Sequence, residues 1–136
     1  MARLRKRVTK TFNIPDDPDG AWIKIKHLKI NEVKKLESQA NDMFFQSDAK
    51  GEGNTRINFD PYTRSRLFAH ACLLDWGGMN DTMGKAMKFS SVNIEKAAEF
   101  EVKVDDETFD FYGWVDKCRD ELDVEVKAET EVAEEN

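Results

Sequence analysis

The turn Pro15-Asp16-Asp17-Pro18-Asp19-Gly20 is the first place in this sequence where chemistry could sit, because three carboxylates close to a glycine suggest a calcium loop. An EF-hand loop built around Gly20 needs acids at positions 15, 17 and 19 and a bidentate glutamate at position 26. Positions 15 and 26 are proline and lysine, so the segment reads as a solvated turn. A zinc site needs about four soft or nitrogen ligands, and the chain offers Cys72, Cys118, His27 and His70 without CxxC or HxxxH spacing. Lys50-Gly51-Glu52-Gly53 lacks both the preceding strand and the GK[ST] of a phosphate loop. There is no GxSxG and no GxGxxG, so no catalytic residue, cofactor or metal is expected, and the reading is a non-enzymatic protein. Binding is the chemistry left, and two features offer it. Arg3, Arg5, Lys6, Arg7 and Lys10, with Lys24, Lys26, Lys29, Lys34 and Lys35, could meet phosphates or an acidic protein, while a solvated face is the ordinary reading of such a cluster. Phe109, Phe111, Tyr112 and Trp114 are too many for one narrow helical stripe, so either a thick core or an exposed aromatic patch follows.

These residues need a scaffold. At 136 residues the chain suits one domain with a real core. Its formal charge is −6, yet Asp120 to Asn136 holds eight acids against Lys127 alone. The charge is thus a balanced domain followed by an acidic tail. No stretch approaches the roughly 18 apolar residues of a membrane span. The basic start leads into Thr11–Gly20 without the apolar run of a signal peptide, and two cysteines make no disulfide framework. A reduced, intracellular protein is expected.

Val8, Phe12 and Ile14 share one parity, and Ile23 and Ile25 share another beyond the turn, which predicts a β-hairpin over about 7–28. Helices are predicted over 31–46 with Asn31 as N-cap, over 60–76 with Asp60-Pro61 at its start and Gly77-Gly78 at its end, over 91–101 capped by Ser90 or Ser91, and over 106–122 capped by Asp105-Asp106. Residues 124–136 lack aromatics and read as disordered. The expected fold is α+β: an N-terminal β-hairpin packed on a small bundle of about four helices, with one domain over 1–123 and a disordered acidic C-terminal tail.

Lys10-Thr-Phe-Asn-Ile-Pro, Leu74-Asp75-Trp76-Gly77-Gly78-Met79-Asn80-Asp81, Lys88-Phe89-Ser90-Ser91-Val92-Asn93-Ile94 and Phe111-Tyr-Gly-Trp-Val follow one another along the chain. Together they resemble the small tail assembly chaperones of long-tailed (siphovirus-like) bacteriophages and prophages, over about Val8 to Asp123. Asp75, Trp76, Gly77, Phe89 and Ser90 carry the motif and read as structural, with Trp76 folding over the core from a helix end and Gly77 in a left-handed cap. The resemblance implies a protein that coats the tape measure protein and recruits tail tube subunits. It implies residence in the cytoplasm of the infected or lysogenic host and absence from the mature virion. It also implies that a frameshifted longer form can exist. Such a protein binds apolar helical clients through Met and aromatic side chains. The candidates are Met43, Phe44, Phe45, Met79, Met83, Met87, Phe109 and Tyr112, which leave self-association open, and the methionines read equally well as plugs in an irregular core. Two rival readings are a structural tail or connector component and a nucleic-acid-binding regulator that uses the basic arm.

Overall fold

The computed structural model describes residues 8–15, 17–49 and 61–135, with side chains described within 8–41 and 62–128. The fold is mixed α+β, with two antiparallel sheets and four helices among the described residues. Strands β1 (Thr9–Asn13) and β2 (Trp22–Lys26) form the expected hairpin, with Phe12 opposite Ile23 and Thr9 opposite Lys26. The alternation puts Ile23 and Ile25 in the core, where neither is exposed. The turn is closed by the Ile14 N–H donating to Ala21 O at 2.9 Å and by the Asp17 carboxylate accepting from Ala21 N–H at 2.6 Å.

Helix α1 (Ile30–Ala49) starts before Asn31 and runs past Gln46. Its first turn is capped from within, by Glu32 Oε1 accepting from Lys29 N–H at 3.3 Å, so Asn31 is not the N-cap. Helix α2 (Pro61–Cys72) stops four residues short of Trp76. Leu73–Gly77 is instead strand β3, paired antiparallel to β2 as the third strand of a sheet ordered β1-β2-β3. The helical expectation for 73–76 is thereby corrected. A stretch of Leu, Asp and Trp suits either period, and the open edge of β2 supplies the hydrogen bonds that settle it. The register slips between Lys24 and Ile25, which leaves Leu74 facing outward while Leu73 and Trp76 go inward.

The Gly pair works differently from a helix stop. Gly77 has the Trp22 indole lying on it, and a Cβ there would sit 2.6 Å from Trp22 Cε2. Gly78, not Gly77, holds the left-handed conformation, at φ +70°.

Ser90 is the N-cap of α3 (Ser91–Lys96), and its Oγ accepts from Asn93 N–H at 3.1 Å. That helix ends early, in a 3-10 turn over Ala97–Glu99. The predicted fourth helix also gives way at its start. Strands β4 (Glu101–Val104) and β5 (Glu107–Asp110) form a second hairpin, with Val104 opposite Glu107 across Asp105 and Asp106. Asp105 takes φ +55°, the positive-φ geometry a two-residue hairpin loop requires, so this pair turns a strand rather than capping a helix. The cap of α4 (Phe111–Glu135) is Asp110, whose Oδ1 accepts from Gly113 N–H at 3.2 Å. This helix continues beyond Leu122, and its backbone is helical through most of the segment expected to be a disordered tail. No Gly or Pro interrupts it after Gly113, and Val126 carries the inward stripe of Val115, Cys118 and Leu122 one turn further.

The core lies where the three-stranded sheet meets α2 and α4. Phe68, Cys72, Phe111, Tyr112 and Val115 are fully buried there. Phe68 is covered by two guanidinium groups, Arg119 at 4.0 Å and Arg64 at 4.5 Å from its ring centre. Asp116 accepts from Ser65 Oγ at 2.5 Å and lies 3.4 Å from Arg119, so the cationic lid is neutralised locally. Among the described residues no helix is long and apolar enough to cross a membrane.

Candidate functional site

The motif residues are structural members of the core. Trp76 donates from Nε1 to Met87 O at 2.8 Å, and its ring meets Phe89 edge-on at 5.4 Å. Asp75 Oδ1 accepts from Trp76 N–H at 2.8 Å. Met79 and Met87 are buried at the root of the loop between them, tied by the Met87 N–H donating to Met79 O at 2.8 Å. Tyr112 is buried as well. These three residues are therefore withdrawn from the surface patch expected of them. Phe109 is half-buried, with the Lys117 ammonium 5.3 Å from its ring. Met83 alone of the three loop methionines is presented outward, 91% exposed at the loop tip. The side chains of Met43, Phe44 and Phe45, the Asp60 cap and the arm Arg3–Arg7 lie outside the described residues.

Titratable groups gather in several clusters among the described residues. Glu95 on α3 receives Arg66 of α2 in a fork, with Nε at 2.7 and 2.9 Å from its two oxygens. It also accepts from Tyr112 Oη at 3.0 Å and lies 3.4 Å from His70 Nε2. The Arg66 fork holds the Glu95 carboxyl down at about 2, and burial beside Glu95 pushes the Tyr112 phenol up. This cluster ties α2, α3 and α4 together. Its carboxylate already has fold partners on each side, which is the pattern of a structural clasp. The thiols of Cys72 and Cys118 are both pushed up to about 12 by burial, the opposite of a nucleophile's environment. The third cluster, Asp17, Asp19, Asn80 and Glu101, lines a cleft of about 260 Å³ beside the first turn. The Asp17 carboxylate serves the turn itself by accepting from Ala21 N–H, and Asn80 Nδ2 donates to Asp19 at 3.5 Å. Among the described residues no group of three His, Cys, Asp or Glu could hold a metal ion.

A larger cavity lies elsewhere. Helices α1 and α4 each pack on α2. The start of α1 and the far half of α4 therefore form two banks of a groove of about 520 Å³, lined by Leu28, Ile30, Val33, Val126, His27, Asp123 and Lys127. Leu28 makes a buried floor, while Ile30 is 70% exposed although it is aliphatic. Polar residues mark the α4 bank. Asp123 lies 3.0 Å from His27 Nε2 and 3.2 Å from Lys127 Nζ, and the hydrogen bond from His27 holds its carboxyl below the usual carboxylate range. Lys10 of β1 also reaches Glu125 of α4, which fixes the helix against the hairpin.

An apolar trough with a polar edge is a surface for apolar side chains presented on a regular backbone. Sequence reasoning did not single out its residues. Val126 could have been found, because it continues the spacing of Val115 and Leu122. Ile30 carries no periodic signal of its own. No protein-family model, curated protein or solved structure matches this chain.

Proposed function

We propose that this chain is a non-enzymatic binding protein, a tail assembly chaperone of a long-tailed phage or prophage. In this reading it holds the tape measure protein in the host cytoplasm, helps recruit tail tube subunits and is absent from the finished particle. The observation that carries the proposal is the α1–α4 groove, whose wall exposes Ile30 above an apolar floor of Leu28, Val33 and Val126. A helical client offers rows of apolar side chains at i, i+3, i+4 and i+7, and a trough between two helices is the complementary surface. Reversible capture of that kind needs no reacting group. The LLDWGG and KFSSVNI segments add support through the family they resemble.

The regulator reading draws on the basic residues of the hairpin, but Lys10 faces Glu125 and Lys26 lies 3.9 Å from Glu32. Both cations thus have protein partners.

The test is co-expression with the long, helix-rich protein encoded just downstream. The expected result is a soluble client that elutes with this chain, and loss of that complex in Ile30→Asp. Because Ile30 is exposed, this variant should keep its fold within about 0.5 kcal/mol. A client that stays insoluble with the wild-type chain, or the chain appearing in purified particles, would overturn the proposal in favour of a structural tail component.

A further inference from the structure

The outer edge of β1 carries backbone groups that the fold leaves open. His27 N–H donates to Val8 O at 2.7 Å and Ile14 N–H donates to Ala21 O at 2.9 Å, one at each end of the first hairpin. Bonded pairs alternate along an antiparallel ladder, so Val8, Lys10, Phe12 and Ile14 turn their backbone groups toward β2. Thr9, Thr11 and Asn13 therefore turn theirs outward. These three residues are exposed, β1 is the outer strand of its sheet, and among the described residues nothing bonds to those outward groups. The opposite edge differs. Ile23 bonds toward β1, so Trp76, which lies across from it on β3, turns its N–H away from β2. Asp75 Oδ1 of the same strand accepts that N–H at 2.8 Å and blunts the edge there.

We propose that β1 pairs antiparallel with β1 of a second copy of this chain, about a twofold axis at Thr11, joining two sheets into one. The register follows from the open groups. Thr11 opposite Thr11 puts Thr9 opposite Asn13, so every outward-facing residue enters a bonded pair that exchanges two hydrogen bonds. The same register sets Val8 opposite Ile14 and Lys10 opposite Phe12. Val8, Phe12 and Ile14 are apolar and only half-buried in the single chain, so the pairing covers what β2 leaves exposed. No like charges meet. Lys10 lies against a ring type it already approaches at 5.1 Å in its own strand, and Glu125 matches its charge. Neighbouring registers are poorer. A shift one way sets Lys10 opposite Lys10, and a shift the other way sets Thr9 opposite Pro15, which has no N–H. An unrelated extended peptide would gain the backbone bonds alone, whereas β1 also supplies matched side chains. The inference is independent of the groove and of the proposed function.

Sedimentation velocity of the full chain tests this. Two five-residue edges make a small interface, so the dimer should be weak, with a Kd of about 0.1 mM. Thr11→Pro removes an outward N–H and no bond to β2, so it should stay monomeric with an unchanged circular dichroism spectrum. Thr11→Lys sets like charges across the axis and should weaken the dimer about fivefold. Thr11 is exposed, so the lysine variant keeps the fold even where the proline variant does not. Single cysteines read the register, since both native thiols are buried. Under mild oxidation Thr11→Cys should crosslink to itself. Thr9→Cys mixed with Asn13→Cys should crosslink as a pair, and each alone should not, because a symmetric copy then holds the two thiols far beyond disulfide reach. A chain that stays monomeric at about 1 mM, well above that Kd, would overturn the proposal. So would an undiminished dimer in a folded Thr11 variant, or crosslinking of Thr9→Cys alone as fast as that of Thr11→Cys.

Discussion

Replacing Glu95 with Gln removes one charge from the clasp and keeps its shape. In the native fold this carboxylate accepts a forked bond from Arg66 and a bond from Tyr112 Oη, and lies near His70. Its pKa is held at about 2, against 4.5 for a free glutamate. A depression of that size corresponds to about 3 kcal/mol before screening. The side chain is 38% exposed, so solvent screening brings the expected contribution down to about 1–2 kcal/mol. The sign follows from the direction of the shift. The folded state holds the proton more weakly than the unfolded chain, so the stabilisation is fully present above about 4.5 and is lost as pH falls toward about 2. Urea unfolding of both proteins across this range gives the difference directly, and the other carboxylates cancel in it. The wild-type chain should exceed Glu95→Gln by about 1–2 kcal/mol at pH 7, which is roughly 4–8 °C in Tm for a domain of this size. That margin should shrink steadily below about pH 4.5. A margin that stays constant with pH, or one below about 0.3 kcal/mol at pH 7, would refute the reasoning that an ionised Glu95 clasps α3 to α2 and α4.

Gly78→Ala should cost about 1–3 kcal/mol, because φ is +70° and the added Cβ would lie 2.9 Å from the Ala21 backbone; thermal melts beside Gly84→Ala, which has φ +79° but open space, separate strain from contact. Cys72 and Cys118 should ignore a thiol reagent at pH 8 in the folded protein and react promptly in denaturant, since burial holds both thiols up near 12; fast labelling of the native chain would contradict their placement.

Several parts of this fold follow from local pattern. The first hairpin is written in alternation, since Val8, Phe12 and Ile14 face Ile23 and Ile25 across a turn dense in Asp, Pro and Gly. The Ser90 cap is equally local, because a hydroxyl three residues before the helical N–H it accepts from needs only its own backbone. The inward stripe of α4 is readable from Phe111 through Leu122 at helical spacing. The second hairpin was also legible. Val102 and Val104 alternate with charges up to a two-residue Asp turn, but the aromatic run beyond it has helical spacing and drew the boundary forward.

Other features depend on partners distant in sequence. Leu73–Gly77 became a strand because β2 had an open edge, and the same residues satisfy either a helix end or a strand on their own. Trp76 is a core residue in both accounts, yet only pairing with Ile23 shows from which side it enters. Burial of Met79, Met87 and Tyr112 follows from what packs over them, so residue type alone leaves open both a binding surface and the core. The groove is the extreme case. His27 and Asp123 meet across 96 positions, and the trough is lined jointly by residues at the start of α1 and on α4, which lie far apart in the chain. Sequence alone determined which residues are apolar, which are charged and how each short segment prefers to run. Only the tertiary structure decided which apolar side chains are covered and which stay exposed among the described residues, because coverage is a property of neighbours and not of the chain that carries them.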